Sequence, residues 1–189
     1  MKKEYELKLQ ITDKTLEIFP GKLIDAEKLI RLNPLWTVLS FKQDGDTFQA
    51  ELKDYSSERE FILNGSFVSG TPAMLNVEFT EGDYNFLSIT PVKDNYLATV
   101  VYTDPEFEEE SELERHTVMW LRGIQEYLRL YQKKTINTVL FRYIMNRIVL
   151  TMTPSQRKIC LMLLRLTVVE VVVILIIVIG YVFFVLNRN

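Results

Sequence analysis

Apolar and polar residues alternate along most of the first hundred residues of this 189-residue chain. Alternation with a period of two is typical of strands that bury one face. The first predicted strand runs through Tyr5, Leu7, Leu9 and Ile11. Six more are predicted at Thr37 to Lys42, Thr47 to Lys53, Arg59 to Val68, Met74 to Thr80, Tyr84 to Pro91 and Tyr96 to Tyr102. Short turns such as Asp44-Gly45-Asp46 join them, so we expect an antiparallel meander.

Two segments of the same region follow a helical spacing instead. Asp25 is the expected N-cap of a short helix, AEKLIRLNP, which Asn33-Pro34 ends. A longer helix follows the last strand, and the acidic run Glu106 to Glu114 favours its start because carboxylates interact well with the positive end of the helix dipole. Its apolar stripe comprises Leu113, Thr117, Trp120, Ile124, Tyr127 and Tyr131. We expect this helix to lie across the sheet.

The C-terminal segment is apolar without any alternation. Val171 to Leu186 contains no charged residue. Together with residues 166–170 it gives about 21 residues, which at about 1.5 Å per residue matches a hydrocarbon core of about 30 Å. A buried core helix is the alternative, although such helices are usually shorter. We predict one transmembrane helix over residues 166–187.

The basic residues around this segment predict its orientation. Arg147, Arg157, Lys158 and Arg165 precede it, and only Arg188 follows it. Because positively charged flanks stay on the cytoplasmic side, we expect a single-pass membrane protein whose N-terminal part is cytoplasmic.

Charge is distributed unevenly between the two ends of the chain. Residues 1–135, called the head below, carry 16 basic and 24 acidic residues, a net charge of −8. Residues 136–189 carry a net charge of +5. The acidic head argues against nucleic acid as a partner, and the basic tail suits anionic membrane lipids.

Residues 136–165, between head and anchor, are predicted to form amphipathic juxtamembrane helices. Ile136 to Met152 is mostly apolar but has a polar stripe at Thr138, Arg142 and Asn146, as in a helix that lies in a membrane interface. A second span is disfavoured because its arginines would be costly at bilayer depth. Thr153-Pro154-Ser155-Gln156 has the capping-box pattern that starts a new helix. The predicted membrane-surface residues are Arg142, Arg147, Arg157, Lys158 and Arg165.

The residues available for catalysis or metal binding are few. His116 is the only histidine and Cys160 the only cysteine, so one chain cannot assemble a metal cluster of His and Cys. Cys160 lies in the juxtamembrane segment, apart from His116 in the head, which argues against a Cys/His nucleophile pair. His116 follows Glu112 by four residues, a spacing that favours a helical ion pair. We therefore predict no catalytic residue, no metal and no cofactor, and a protein that is not an enzyme.

The order of elements, a strand, a short helical region, six strands and a long helix, resembles the helix-grip fold of the START, Bet v 1 and polyketide-cyclase superfamily, also called SRPBCC. The resemblance covers about residues 3–132 and includes the helix passage LERHTVMWLRGIQEYLRLY, in which Trp120, Gly123 and Tyr127 look like sheet-facing positions. This chain departs from the pattern in its short helical region between the first two strands. The resemblance implies an α+β fold with an antiparallel sheet packed on a long C-terminal helix.

The resemblance also implies a cavity between the sheet and the helix, which in that superfamily holds lipids, sterols or other apolar molecules. The ligand-binding residues it implies here are Phe61, Phe67, Phe79, Trp120, Ile124 and Tyr127, for which ordinary core packing is the alternative. Our leading hypothesis is a membrane-anchored, cytoplasmic lipid or hydrophobic-ligand binding protein without catalysis. A tail-anchored scaffold that recruits a protein partner through its acidic head is the second, and an enzyme such as a cyclase is the third.

Overall fold

The computed structural model describes residues 1–9, 20–68, 73–92, 95–104 and 111–186, with side chains through residue 184. Its strands are β1 Lys2–Leu7, β2 Trp36–Asp44, β3 Thr47–Asp54, β4 Glu60–Phe67, β5 Leu75–Phe79, β6 Tyr84–Val92 and β7 Asn95–Tyr102. Its helices are α1 Pro20–Leu23, α2 Ala26–Arg31, α3 Glu112–Gln132, α4 Ile136–Arg147 and α5 Pro154–Leu186, with a 3-10 turn at Val149–Thr151. Ile11, in the predicted first strand, and Glu106 to Glu110, in the predicted helix start, lie outside the described residues.

The seven strands form one antiparallel sheet in the order β1-β7-β6-β5-β4-β3-β2. The predicted meander of six strands is thereby confirmed. Strand β1 pairs with β7 and forms one edge of the sheet. Every second residue of β3 and of β7 is buried, as period-two alternation requires of strands that cover a core with one face.

Helix α3 lies over the buried face of the sheet. Its N-cap is Ser111, whose hydroxyl accepts a hydrogen bond from the backbone N–H of Glu114 (3.3 Å). The stripe predicted from the sequence is buried at Thr117, Trp120, Ile124 and Tyr127. The indole of Trp120 meets the ring of Phe79 with centroids 6.3 Å apart, which joins the helix to β5.

Helix α2 packs beside α3 at very short range. Asp25 caps α2 as predicted, because its carboxylate accepts from the N–H of Lys28 (2.8 Å). The indole N–H of Trp120 donates to the carbonyl of Leu29 (2.8 Å). A Cβ added to Gly123 would lie 2.5 Å from the carbonyl oxygen of Leu32, so this glycine allows the close approach of the two backbones.

We expect Gly123→Ala to destabilise the protein by about 1 to 3 kcal/mol, because the added methyl group meets a backbone oxygen that cannot rotate away. The sign is informative, since alanine normally stabilises a helix interior by about 1 kcal/mol relative to glycine. Urea unfolding of the full chain in detergent micelles, followed by tryptophan fluorescence, measures the effect on the head because both tryptophans, Trp36 and Trp120, lie there. Arg122→Ala, at an exposed neighbouring position of α3, is the control. A stabilised Gly123→Ala variant would contradict the close approach.

Helix α4 turns the predicted polar stripe toward α3. Thr138 forms a capping box with Thr135 at the start of the helix. The guanidinium of Arg142 donates to the carbonyls of Leu130 and Lys133, each at 2.8 Å, at the C-terminal end of α3 where carbonyls lack partners within the helix. Asn146, one turn further along α4, also bonds to α3. Contact of Arg142 with lipid headgroups stays a prediction.

The chain divides into two compact units, Met1–Thr151 and Met152–Asn189. In the second unit the predicted capping box is present: the N–H of Thr153 donates to the side chain of Gln156 (2.9 Å), and the N–H of Gln156 donates to the hydroxyl of Thr153 (3.3 Å). Helix α5 follows without interruption. Among the described residues it is the one helix long and apolar enough to cross a membrane. The division into residues 1–135, 136–165 and 166–187 stays a prediction.

Candidate functional site

The head has an open groove of about 790 Å³ at one end of the sheet. It lies between the β3–β4 turn, the β5–β6 turn and the first two turns of α3. The residues that line it are Trp36, Asp54, Ser56, Ser57, Arg59, Glu60, Phe61, Ile62, Leu63, Glu81, Gly82, Asp83, Tyr84, Glu112, Leu113 and His116. A groove of this size is within the range of small-molecule sites.

The floor of the groove is aromatic. Trp36 contacts Phe61 edge-on, with ring centroids 5.7 Å apart, and Tyr84 at 6.3 Å. Tyr84 is buried and burial raises the pKa of its phenol, so the hydroxyl stays neutral. The hydroxyl of Thr117 donates to the carbonyl of Leu113 (2.9 Å) and therefore accepts from Tyr84 (3.2 Å). These contacts hold a rigid apolar surface under the groove.

The β3–β4 turn at one wall is organised by the buried carboxylate of Asp54. Its Oδ1 accepts from the hydroxyl of Ser56 (2.5 Å) and from the backbone N–H groups of Ser56 (2.7 Å) and Ser57 (3.0 Å). Burial raises the pKa of Asp54, but these hydrogen bonds, with His116 nearby, outweigh it and hold the pKa below the ordinary value. The wall of the groove is therefore fixed by an ionised side chain.

We expect Asp54→Ala to cost about 1 to 2 kcal/mol of stability at neutral pH, since it removes the acceptor of three hydrogen bonds. A lowered folded-state pKa stabilises the protein above the ordinary value of 3.8, and this contribution is lost as the pH falls through the lower folded value. The difference between wild type and variant should therefore be constant above pH 3.8 and shrink below it. Unfolding curves over a pH series measure it. Asp44→Ala, at an exposed acid in the neighbouring hairpin, is the control and should show no such difference.

The opposite wall is formed by α3. His116 is mostly buried, with 16% of its side chain exposed, and its Nε2 lies 3.6 Å from Oε1 of Glu112, as the spacing of four predicted. Five carboxylates line the groove, Asp54, Glu60, Glu81, Asp83 and Glu112, against the single arginine Arg59. The rim is therefore acidic, which favours neutral or cationic polar groups over anionic ones.

Most of the six predicted ligand-binding residues lie in the packed interior. Phe79, Trp120, Ile124 and Tyr127 are buried in the core. Phe67 is half-buried and lines a smaller depression of about 370 Å³ near α1. Phe61 lines the large groove. The structure joins Phe61, Trp36, Trp120, Phe79, Phe48 and Phe67 through successive ring contacts. Whether any of the six binds a ligand stays a prediction.

The predicted membrane-surface residues lie on α4 and α5. Arg147, Lys158 and Arg165 are exposed. Arg157 is half-buried, and its Nε donates to the carbonyl of Met152 (3.1 Å). Their contact with headgroups, like that of Arg142, stays a prediction.

Trp36, Tyr84 and Leu113 were not predicted as groove residues, and His116 was predicted only as the partner of Glu112 in a helical ion pair. Alternation shows which face of a strand is buried, but it does not show where along the sheet the layer above it ends. One signal was available: Trp36 and Tyr84 each stand at the first position of a strand, directly after a turn, where a groove at the sheet's end must lie.

Within the described residues, the head has two short helices between the first and second strands, a seven-stranded sheet in which the first strand pairs with the last, and a long helix on its buried face. The head has the helix-grip fold. Helices α1 and α2 are short, with four and six residues. Helix α2 lies against α3.

Comparison with solved structures finds similarity at low sequence identity. The AHSA1-like protein from Aeromonas hydrophila is similar over 67% of this chain and 91% of its own, with 14% identity and a TM-score of 0.43. The protein CV1439 from Chromobacterium violaceum is similar over 68% of this chain and 96% of its own, with 12% identity and a TM-score of 0.44. Ara h 8.0201 is similar over 68% and 97%, with 8% identity and a TM-score of 0.34. No family model matches the sequence, and no curated protein matches it.

Proposed function

We propose that this protein is a membrane-anchored, helix-grip protein that binds an apolar or amphiphilic small molecule in the groove at the end of its sheet, without catalysis. The observation that carries the proposal is the groove itself, about 790 Å³ in volume, with Trp36, Phe61 and Tyr84 in its floor. Rigid aromatic surface binds apolar ligands with little loss of conformational entropy. The acidic rim would contact the polar end of an amphiphile.

The membrane part of the proposal is supported by α5. Its segment 166–186 contains 17 Leu, Ile, Val and Phe residues and the single charge Glu170. The excess of basic residues before this segment supports a cytoplasmic head. An anchor would keep the groove close to membrane-dissolved ligands and so raise their effective concentration.

The absence of catalysis is part of the proposal because the buried carboxylate of Asp54 and the imidazole of His116 already have partners. The carboxylate of Asp54 is tied to the β3–β4 turn, and Glu112 pairs with His116. Across the described part of the chain, no group of three or more His, Cys, Asp and Glu side chains is placed to hold a metal ion. The residues of the groove hold a shape more than they offer reactive groups.

Native mass spectrometry of the full chain, released from membranes in mild detergent, tests the proposal. We expect a retained small molecule that organic extraction identifies. Leu113→Trp should weaken retention because the larger side chain takes up part of the groove, whereas Leu39→Trp, at an exposed position of β2 outside the groove, should retain the molecule as wild type does. Ligand binding would be rejected if wild type and both variants each showed only the mass of the bare chain, and a lipid panel gave no thermal shift.

A second candidate, the scaffold, is favoured by one specific observation. The region between α3 and the sheet, where a cavity was expected, is filled: Trp36 and Trp120 lie 5.1 Å apart by ring centroids, and Trp120 is fully buried. A solid head with an acidic surface could recruit a basic protein partner. Failure of the mass-spectrometry test together with an intact, stable head would favour this candidate.

A further inference from the structure

Helix α4 carries a row of large apolar side chains on its exposed side, which is unusual for a surface helix. Residues 136, 139, 140, 143 and 147 share one face by helical spacing, and the side chains there are Ile, Val, Leu, Tyr and Arg. Ile136 is 89% exposed, Tyr143 63%, Leu140 55% and Val139 50%. We call Ile136, Val139, Leu140 and Tyr143 the outer face.

The inward side of α4 explains why this face points outward. Tyr127 donates its phenolic O–H to Oδ1 of Asn146 (2.9 Å), and Asn146 donates to the hydroxyl of Tyr131 (3.1 Å). Arg142 lies 4.6 Å above the ring of Tyr131 while it bonds to the last carbonyls of α3. Hydrogen bonds and a cation–π contact thus fix the rotation of α4 about its axis.

The charged residues around the outer face indicate what kind of surface it can bind. Between Glu126 and Glu170 the chain contains no acidic residue and eight basic ones. Lys133 and Lys134 precede the outer face and Arg147 ends it, and all three are exposed. An apolar helix face framed by lysine and arginine is complementary to an anionic bilayer surface. Pairing with a second copy of this chain would bring these like charges together.

The chain also limits how far α4 can be from a bilayer that holds α5. Six residues, 148–153, separate α4 from α5. Even fully extended they span about 20 to 25 Å. The twelve helical residues of α5 before the predicted span, 154–165, add about 18 Å. If α5 spans the membrane at residues 166–187, the chain therefore tethers the outer face within about 40 Å of the lipid surface, which raises its effective concentration there.

We propose that the outer face of α4 docks on the anionic membrane that α5 spans and inserts into the boundary between headgroups and acyl chains. The head then has two membrane contacts instead of one flexible tether, so its orientation to the bilayer is set. This inference rests on the proposed anchoring by α5. It assigns the insertion to the apolar outer face and leaves the polar stripe of Thr138, Arg142 and Asn146 as the attachment to α3.

Site-specific fluorescence of the full chain in nanodiscs tests the proposal. In a Cys160→Ser background, single cysteines at Leu140→Cys, Glu126→Cys and Ile174→Cys carry the environment-sensitive NBD label. The discs contain equal parts of phosphatidylcholine and phosphatidylserine, with or without doxyl-labelled lipid as quencher. We expect the label at position 140 to shift to the blue and lose most of its emission to the quencher. The label at position 126, on an exposed polar part of α3, should do neither.

Position 174 separates failure of docking from failure of the anchor. A quenched label at 174 with an unquenched, solvent-exposed label at 140 overturns the docking and leaves the anchor intact. Unquenched labels at both positions overturn both. A blue-shifted label at 140 that lipid-borne quencher does not reach shows that protein covers the outer face, as in a dimer, and also overturns bilayer docking.

Discussion

Trp120→Ala should remove about 3 to 5 kcal/mol of stability, the largest loss that we expect from a single core substitution in this chain. Trp120 is fully buried, and its indole lies 5.1 Å from the ring of Trp36 and 5.5 Å from that of Tyr84 by centroids. The truncation also leaves the carbonyl of Leu29 without the indole N–H. Because small domains are stable by only about 5 to 15 kcal/mol, much of the head's stability would be lost.

Two further variants separate the contributions to this effect. Trp120→Phe keeps an aromatic ring but loses the hydrogen bond to Leu29, and we expect it to cost about 1 to 3 kcal/mol. Tyr143→Ala, which truncates an exposed aromatic side chain, should change stability by less than about 0.5 kcal/mol. Denaturant unfolding followed by circular dichroism avoids the loss of a fluorophore. A cost below about 1 kcal/mol for Trp120→Ala would mean that the cluster is loosely packed and has room for a ligand.

The aromatic cluster also explains where a ligand can bind. In a helix-grip domain the space between sheet and long helix is available only if nothing fills it. Here Trp36 reaches Trp120 across this space, while α2 lies against Trp120 from the other side. The large groove lies at the end of the sheet, where Phe61 and Tyr84 continue the same cluster to the surface. One cluster of aromatic side chains therefore both packs the core and forms the floor of the groove.

The fold could be predicted because its information is local. Alternation alone located all seven strands, and the cap at Asp25 located α2. Helix α1 was missed, since four residues, Pro20–Leu23, are too short to show a period. Helix α3 starts inside the acidic run, as expected, and its N-cap is Ser111, whose hydroxyl accepts from the N–H of Glu114.

The site depends on contacts between distant parts of the chain, and these have no local pattern. Trp36 and Tyr84 belong to the groove because strands far apart in sequence end beside the first turns of α3. Arg142 and Asn146 were recognised as a polar stripe, but their partners are carbonyls and hydroxyls of α3 that no periodicity identifies. The sequence thus predicted which faces are polar or apolar, and not what each face contacts.

Replacing Ile174 and Val178 together by lysine should release the protein from the membrane. The 17 Leu, Ile, Val and Phe residues of segment 166–186 favour insertion by about 0.3 to 0.6 kcal/mol each, or about 5 to 10 kcal/mol together. Two lysines near the centre cost about 5 to 7 kcal/mol and also remove two favourable residues. The balance is then close to zero, so the proposed anchor should lose most of its preference for the bilayer. Fractionation of cell membranes after alkaline extraction measures the result.

The matched control is Ile174→Leu with Val178→Leu, which changes the same positions without charge and should remain in the membrane fraction. Arg188→Asn tests orientation separately, because it removes the one basic residue beyond the anchor and should strengthen the cytoplasmic placement of the head in a protease-protection assay. Retention of the double-lysine variant would mean that α5 is not a single span held by its apolar residues. Release with a stable, folded head would show that the anchor acts independently of the helix-grip domain.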